Sequence, residues 1–345
     1  YGDHRDLHYP LRRQRQMCIR DRDKGDIMLT FGPVPSRRLG RSLGINNIPP
    51  KICTYSCVYC QIGKTSKMKI QPQVFYLPSE IFREVQDKVK KSKEKGEPID
   101  YLTFVPDGEP TLDINLGQEI KLIKSLGIKI AVISNSSLID QKQVRENLQE
   151  ADLVSLKVDS VEEEIWRKVD RPNRNLSLKD ILTSMLKFKE NFKGEIITET
   201  MLVKDINDNS QGIKRVANFL AKLKPSRAYL SVPIRPPADS WVQSPSEEVV
   251  NQSYNIFKEK VDQVECLIGY EGNAFAFTGE VEEDILSITS VHPMREDALK
   301  DFFGRANSDW SVIERLIKQG KLVESEYEGH KFYIRKFKQL VTEKL

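Results

Sequence analysis

Three cysteines in one short run are the residues of this sequence best suited to chemistry. Cys53, Cys57 and Cys60 are separated by three and then two residues, in the run Cys-Thr-Tyr-Ser-Cys-Val-Tyr-Cys. A compact loop with this spacing can aim three thiolates at one point, and thiolates select zinc, copper(I) or iron–sulfur clusters. Most iron–sulfur clusters take four cysteines. A cubane held by three would therefore leave one iron open to a substrate or cofactor.

Three other uses of these cysteines stay open from the residues alone. A structural zinc site normally has four protein ligands, and no histidine lies between His8 and His292 to act as the fourth. A disulfide would leave one thiol over and requires an oxidising compartment. Three inert cysteines would need this spacing to arise by coincidence. The spacing favours the three-ligand cluster.

Residues 1–22 are expected to be a translated sequencing adapter rather than natural protein, and such segments are excluded before fold reasoning. The alternative is a disordered basic arm. The segment holds six Lys or Arg and three Asp or Glu, so its removal lowers the formal charge from +4 to +1. A charge this small does not indicate nucleic-acid binding. We expect the natural start at Met28.

The remaining chain has the features of a cytoplasmic protein. Besides the three clustered cysteines it holds only Cys266, and unpaired thiols fit a reducing compartment. No stretch approaches the ~20 apolar residues that span a bilayer. We therefore expect no membrane partner.

Short apolar runs alternate with amphipathic stretches after the cysteines. The runs lie at 42–45, 101–105, 129–133, 153–157, 196–203 and 229–232, and helical periodicity marks stretches such as 79–91, 178–188 and 212–223. This alternation predicts a parallel sheet. Six units are too few for a closed eight-stranded barrel. We therefore expect an α/β fold with a partial (β/α)6 TIM-like barrel over 23–289; the alternative is an open doubly wound sheet.

Polar residues follow the predicted strands, where the chemistry of such folds gathers. The first strand leads to the cysteines, and the others carry candidate site residues at or near their ends. These candidates are Gly108, Glu109, Ser134, Asn135, Lys157, Asp159 and Glu199. We expect them to converge on one rim. Arg235, near the same rim, could grip an anionic substrate, but it is rather expected to be a surface residue.

With these residues in place, the chain resembles the radical S-adenosylmethionine superfamily over roughly residues 29–285. The likeness rests on the cysteine motif with Tyr59 before its last member, and on Gly108-Glu109 after the second strand. The run 31–46 resembles a branch described as iron–sulfur oxidoreductases, which is related to the enzymes that form the wyosine base of tRNA. Asp107 stands where the family has a first glycine.

The resemblance implies cofactors and roles. A [4Fe–4S] cluster would lie on Cys53, Cys57 and Cys60, and S-adenosylmethionine would chelate its open iron. Reductive cleavage would then give a 5′-deoxyadenosyl radical that abstracts hydrogen from an unidentified substrate. Glu109 would accept a hydrogen bond from the methionine amino group, beside Gly108. The other candidates would contact the sulfonium compound or the substrate: Ser134, Asn135, Lys157, Asp159 and Glu199.

The last 56 residues, 290–345, read as two helices and a hairpin, which predicts a winged-helix-like domain. They hold eleven Lys or Arg against nine Asp or Glu, whereas strong phosphate binding needs a clearer basic stripe. Two alternatives to a general radical enzyme stay open: a tRNA-modifying enzyme of the wyosine type, and an iron–sulfur regulator that binds DNA without catalysis. The enzyme would also need an electron donor such as flavodoxin or ferredoxin.

Overall fold

The computed structural model describes residues 28–269 and 272–336. The predicted adapter segment, 1–22, lies outside these residues. The described strands are β1 (Thr30–Ser36), β2 (Gly40–Ile45), β3 (Ile52–Cys53), β4 (Lys67–Met68), β5 (Tyr101–Phe104), β6 (Lys129–Ser134), β7 (Leu153–Lys157), β8 (Glu195–Met201), β9 (Arg227–Ser231), β10 (Val264–Leu267), β11 (Met294–Arg295), β12 (Leu322–Tyr327) and β13 (His330–Arg335). The described α-helices are α1 (Pro78–Glu94), α2 (Leu116–Ile123), α3 (Lys142–Leu148), α4 (Glu163–Val169), α5 (Leu178–Asn191), α6 (Ser210–Leu223), α7 (Glu247–Lys258), α8 (Val281–Val291), α9 (Glu296–Ala306) and α10 (Ser311–Lys318).

Eight strands form the main sheet, in the order β1-β2-β5-β6-β7-β8-β9-β10. β1 is antiparallel to β2, and the other neighbours are parallel. From β2 onward the strands lie in chain order. Right-handed crossovers then leave the connecting helices on one side of the sheet, whereas a doubly wound sheet reverses its strand order at a switch point. The fold is therefore the expected partial TIM-like barrel, widened at its edges by β1 and β10.

The two faces of this sheet differ in chemistry because side chains alternate along each strand. The side facing the helices is apolar and fully buried at positions such as Leu43, Leu102 and Val132. On the concave side, Lys157 of β7 lies in register with Glu199 of β8, and Glu199 lies in register with Tyr229 of β9. The concave side is thus the face that can hold charged groups.

The turn between β1 and β2 reaches the concave side from the amino ends of the strands. Leu39 is buried there against Ala131, Leu153, Ile197 and Tyr229. This leucine closes the bottom of the half-barrel with an apolar layer, and the polar groups lie above it.

The C-terminal part packs on β1. Phe31 and Val34 of β1 share an apolar cluster with residues of α8, α9 and α10. β11, β13 and β12 form a three-stranded antiparallel sheet in that order. Two helices and a hairpin are therefore present as expected; the winged-helix interpretation and the boundary at 289/290 stay predictions. No helix in the described ranges is long and apolar enough to cross a bilayer.

Candidate metal centre

The cysteine loop begins at β3 and is fixed from two sides. On one side, the amides of Ser56 and Val58 donate to the carbonyls of Asp170 (3.1 Å) and Val169 (2.9 Å), at the end of α4. On the other side, the amide of Lys69 donates to the carbonyl of Cys53 (3.0 Å). Backbone contacts therefore hold the loop in place, and none of these contacts uses the three thiols.

All three thiols are half-buried and free. Burial raises the pKa of each of them, that of Cys53 to about 12. The side-chain nitrogen Nδ2 of Asn135 lies 3.5 Å from the Cys53 sulfur. Thiols bind metals as thiolates, so loading this loop would release protons. Among the described residues, no group of three or more His, Cys, Asp or Glu side chains has the arrangement that a single metal ion needs.

Glu109 lies beside the loop and is almost entirely buried. Its Oε1 accepts from the hydroxyls of Thr111 (2.6 Å) and Ser134 (2.8 Å) and from the Thr111 amide. Its Oε2 accepts the Asn135 amide (2.7 Å). Oε1 thus accepts three bonds and Oε2 only one, so Oε2 has room for one further donor such as an ammonium group.

Gly108 is required by a close backbone approach. A Cβ at this position would lie 1.9 Å from the Ile52 carbonyl oxygen, and the Glu109 amide donates to that same oxygen (3.3 Å). The predicted glycine therefore lets the β5 loop lie directly against the cysteine loop.

Lys157 and Glu199 form an ion pair on the concave side, with Nζ 2.9 Å from Oε1. Arg38 pairs with the other oxygen of Glu199, and the Ser231 hydroxyl donates to Oε1 (3.0 Å). Burial raises the pKa of Glu199, but Arg38 and Lys157 outweigh it and lower that pKa to about 2. Burial lowers the pKa of Lys157, but the carboxylates of Asp159 and Glu199 raise it by more. The net pKa lies above the usual value for lysine, so the side chain is a cation.

Asp159 belongs to a second, more deeply buried network. The Tyr59 hydroxyl donates to Asp159 and lies 3.0 Å from Oδ1 of Asp170. The Cys57 sulfur lies 3.4 Å from that same oxygen of Asp170. Burial raises the pKa of Asp170, and Asp159 beside it raises it further. The two carboxyl groups therefore share a proton, directly behind one of the predicted metal ligands.

Lys51 and Asp107 are further titratable groups close to Cys60. Burial raises the pKa of Asp107 to about 7, against the opposing effect of Lys51 and Arg335. Burial likewise lowers the pKa of Lys51, which the thiol of Cys60 and Asp107 partly offset. Lys51, Asp107 and the C-terminal Arg335 thus contribute charge near Cys60.

The structure brings all the predicted candidates to one end of the half-barrel, and it adds residues that sequence patterns did not single out. Asp170 is one; its only signal was its place just before Arg171-Pro172. The expectation that Arg235 is a surface residue is wrong. Arg235 is 9% exposed, and its guanidinium donates to Gln61 Oε1 (2.9 Å) and contacts His292 Nε2 (2.6 Å).

Comparison with known proteins agrees with this geometry. A family model described as the radical SAM superfamily matches residues 47–220. UPF0026 protein MJ1312 of Methanocaldococcus jannaschii is 47% identical over 312 residues, which cover 90% of this chain and 97% of that protein. A UPF0026 protein of Synechocystis sp., slr1464, is 34% identical over 208 residues, covering 60% of this chain and 76% of that protein.

Two solved structures share the fold at low sequence identity. A structure of TYW1 with a lysine–pyruvate adduct bound has a TM-score of 0.51 and 16% identity, covering 64% of this chain and 74% of that one. A radical SAM methyltransferase from Sphaerobacter thermophilus has a TM-score of 0.52 and 15% identity, covering 66% of each chain. At such identities the likeness shows the fold alone.

Proposed function

Because this chain belongs to the radical SAM superfamily, whose members use a [4Fe–4S] cluster and S-adenosylmethionine, we propose that Cys53, Cys57 and Cys60 hold the cluster and that Glu109 binds the methionine amino group. The chain is an enzyme, and it needs an electron donor and a substrate. The observation that carries the assignment is the packing of a three-thiol loop against a buried carboxylate with one free acceptor position.

The donor set fits such a cluster. Three cysteines on one loop can ligate three irons, and the other cysteine of the described residues, Cys266, packs towards the helices on the other side of the sheet. When bound, the cluster would supply one electron to cleave S-adenosylmethionine into methionine and a 5′-deoxyadenosyl radical that abstracts hydrogen from the substrate. The protein's own part is to bind, orient and exclude water.

Glu109 is suited to the amino group of the sulfonium compound. A charge-assisted hydrogen bond from an ammonium to a carboxylate is among the stronger ones in proteins. Thr111, Ser134 and the Asn135 amide already fix the carboxylate through both oxygens. Its orientation therefore costs nothing further when the ligand arrives.

The remaining candidates would bind the carboxylate and ribose of S-adenosylmethionine, or the substrate. Lys157 lies 4.9 Å from the centre of the Tyr59 ring, next to Cys60, which makes its ammonium a suitable partner for a ligand carboxylate near the cluster. Asn135, Ser134 and Asp159 are suited to hydroxyl groups. Glu199, which faces the concave side between two cations, is more suited to the substrate end of the site.

The test begins with anaerobic reconstitution of the protein with iron and sulfide. The protein is then reduced with dithionite and given S-adenosylmethionine, and 5′-deoxyadenosine is measured by chromatography. Cys57→Ala is expected to lose bound iron and all cleavage. Cys266→Ala is the matched control, because Cys266 packs towards the helices on the other side of the sheet, and it should keep both. Cleavage retained by Cys57→Ala would refute the assignment.

A further inference from the structure

The chain has no acidic residue from Ile27 to Ser79, a stretch of 53 residues that holds seven Lys and Arg. Three of these lysines follow the last cluster cysteine within nine residues: Lys64, Lys67 and Lys69. We call residues 63–69 the lysine strip. The strip packs on the cysteine loop and not in the concave site, with Lys64 and Lys67 exposed and Lys69 half-buried.

The lysine strip is bonded directly to the loop that carries the cysteines. At its start, the Gly63 amide donates to the Cys60 carbonyl (3.0 Å), and at its end the Lys69 amide donates to the Cys53 carbonyl (3.0 Å). Between them, Met68 pairs with Cys53 as β4 with β3, and the Thr65 hydroxyl donates to the Tyr55 carbonyl (2.6 Å). A molecule on the outer side of the strip would thus be separated from the cluster loop by a single layer of backbone.

The outer side of the lysine strip is accessible, and most of its positive charge is not paired with a carboxylate. The Lys64 side chain is 67% exposed and lies 3.1 Å from Asp239, a carboxylate that Arg171 also contacts (2.6 Å). Lys69 donates to the neutral Gln73 side chain (2.8 Å), and no carboxylate of the described residues pairs with Lys67. Met68, between these two lysines, is 38% exposed. The surface is therefore cationic with an apolar centre.

This surface fits one requirement that the proposed function creates. An electron must reach a cluster that is shielded by protein, so its donor has to dock close to the cysteines. A basic surface attracts and orients an acidic partner at long range, and an exposed methionine adds an adaptable apolar contact. We propose that the lysine strip is the docking surface for an acidic electron-transfer protein, which is oxidised by one electron while the cluster is reduced by one. The proposal rests on the proposed function.

A polyanionic nucleic acid would also be attracted by lysines. The shape and position of the lysine strip favour a protein for two reasons. The strip offers three lysines around one exposed apolar side chain, not a long basic stripe. The strip also contacts the backbone of the cluster cysteines. It does not lie on the concave side of the sheet, where a substrate would have to bind.

The test compares the double variant Lys67→Glu with Lys69→Glu against the matched pair Lys187→Glu with Lys222→Glu, which alters exposed lysines on α5 and α6. Binding of flavodoxin, an acidic flavoprotein, is measured by calorimetry at low ionic strength without turnover. The strip variant is expected to bind at least about tenfold more weakly, with the loss shrinking as salt is added. The control pair should bind as the wild type does.

The second readout is the rate of 5′-deoxyadenosine formation with two reductants. With reduced flavodoxin the strip variant is expected to be at least about tenfold slower, whereas with dithionite and methyl viologen, small molecules that need no docking surface, it should match the wild type. Unchanged flavodoxin binding in the strip variant, or an equal loss in the control pair, overturns the docking surface. Loss of tRNA binding in place of flavodoxin binding also overturns it. Failure of the wild type with both reductants instead refutes the proposed function, and the binding readout separates the two.

Discussion

The buried carboxyl group of Glu119 allows a direct test of whether the native protein keeps a proton that the unfolded chain releases. Glu119 lies on α2 and is completely buried, as is Asp113. Burial raises the pKa of Glu119, and the carboxylate of Asp113 beside it raises it further. Asp113 accepts the Asn115 amide (2.9 Å), so it is the better placed of the two to carry the negative charge. Burial also raises the pKa of Asp113, to about 7, so above that pH the native pair keeps one proton, on Glu119, whose pKa is raised to about 9.

The size of the effect follows from that proton. In the unfolded chain both carboxyl groups have ordinary pKa values, 4.5 and 3.8, and are ionised at neutral pH. Between the native pKa values of about 7 and about 9, the native state thus binds one more proton than the unfolded state. The stability that the protonated pair contributes is complete below the unfolded values and is lost as the pH rises. One proton is worth about 1.4 kcal/mol per pH unit, so this contribution falls by about 1.4 kcal/mol between pH ~7 and ~8.

Glu119→Gln should remove this dependence, because an amide can donate to Asp113 without titrating. The assay is urea unfolding of the variant, the wild type and Glu190→Gln, an exposed control on α5, at several pH values. The free energy of unfolding of Glu119→Gln should rise relative to the wild type by about 1.4 kcal/mol per pH unit. A pH-independent difference between the two would refute the shared proton, and so would the same slope in the control.

Two further predictions concern the site itself. Glu199→Gln leaves the charges of Arg38 and Lys157 without the Glu199 carboxylate, so we expect the free energy of unfolding to fall by about 3 kcal/mol. Because the pKa of Glu199 is lowered from 4.5 to about 2, this loss should be constant above pH ~5.5 and should shrink as the pH falls towards ~2; a loss that appears only near neutral pH would contradict the pairing. Gly108→Ala should displace the cysteine loop and lower the bound iron after reconstitution, since its Cβ would meet the Ile52 carbonyl; Gly304→Ala, a helical site with open space around it, is the control, and equal iron contents would show that the close approach is unimportant.

Local patterns predicted the parts of the fold in which apolar runs and helical spacing agree. The six expected strands correspond to β2 and β5 to β9, and their order follows from the alternation. β10 was not predicted because its four residues include Glu265 and Cys266, so its apolar signal is weak. Helix α7 was missed although Ser246 caps it by accepting the Val249 amide. Helix α1 begins at Pro78 behind Leu77, one residue before the stretch 79–91 that helical periodicity marked.

The site was predicted as a set of residues but not as a set of contacts. Each candidate was found by its position at a strand end. The partners of the charged candidates lie far away in the chain, such as Arg38 for Glu199 and Tyr59 for Asp159. Those pairs depend on strand register and on where the β1–β2 turn packs. A single sequence contains no local signal for either.

The contacts of the C-terminal part argue against a freely acting DNA-binding module. Gln61, which directly follows Cys60, donates to the Val291 carbonyl at the end of α8 (2.8 Å) and accepts from Arg235. In the hairpin, the Tyr327 hydroxyl donates to the Pro233 carbonyl (3.2 Å). In a winged helix the hairpin would have to face nucleic acid, yet here its Tyr327 contacts the segment after β9. The C-terminal part therefore packs against the cysteine loop and helps to fix its position. Displacing the C-terminal part should disturb the cysteines before it affects any distant partner.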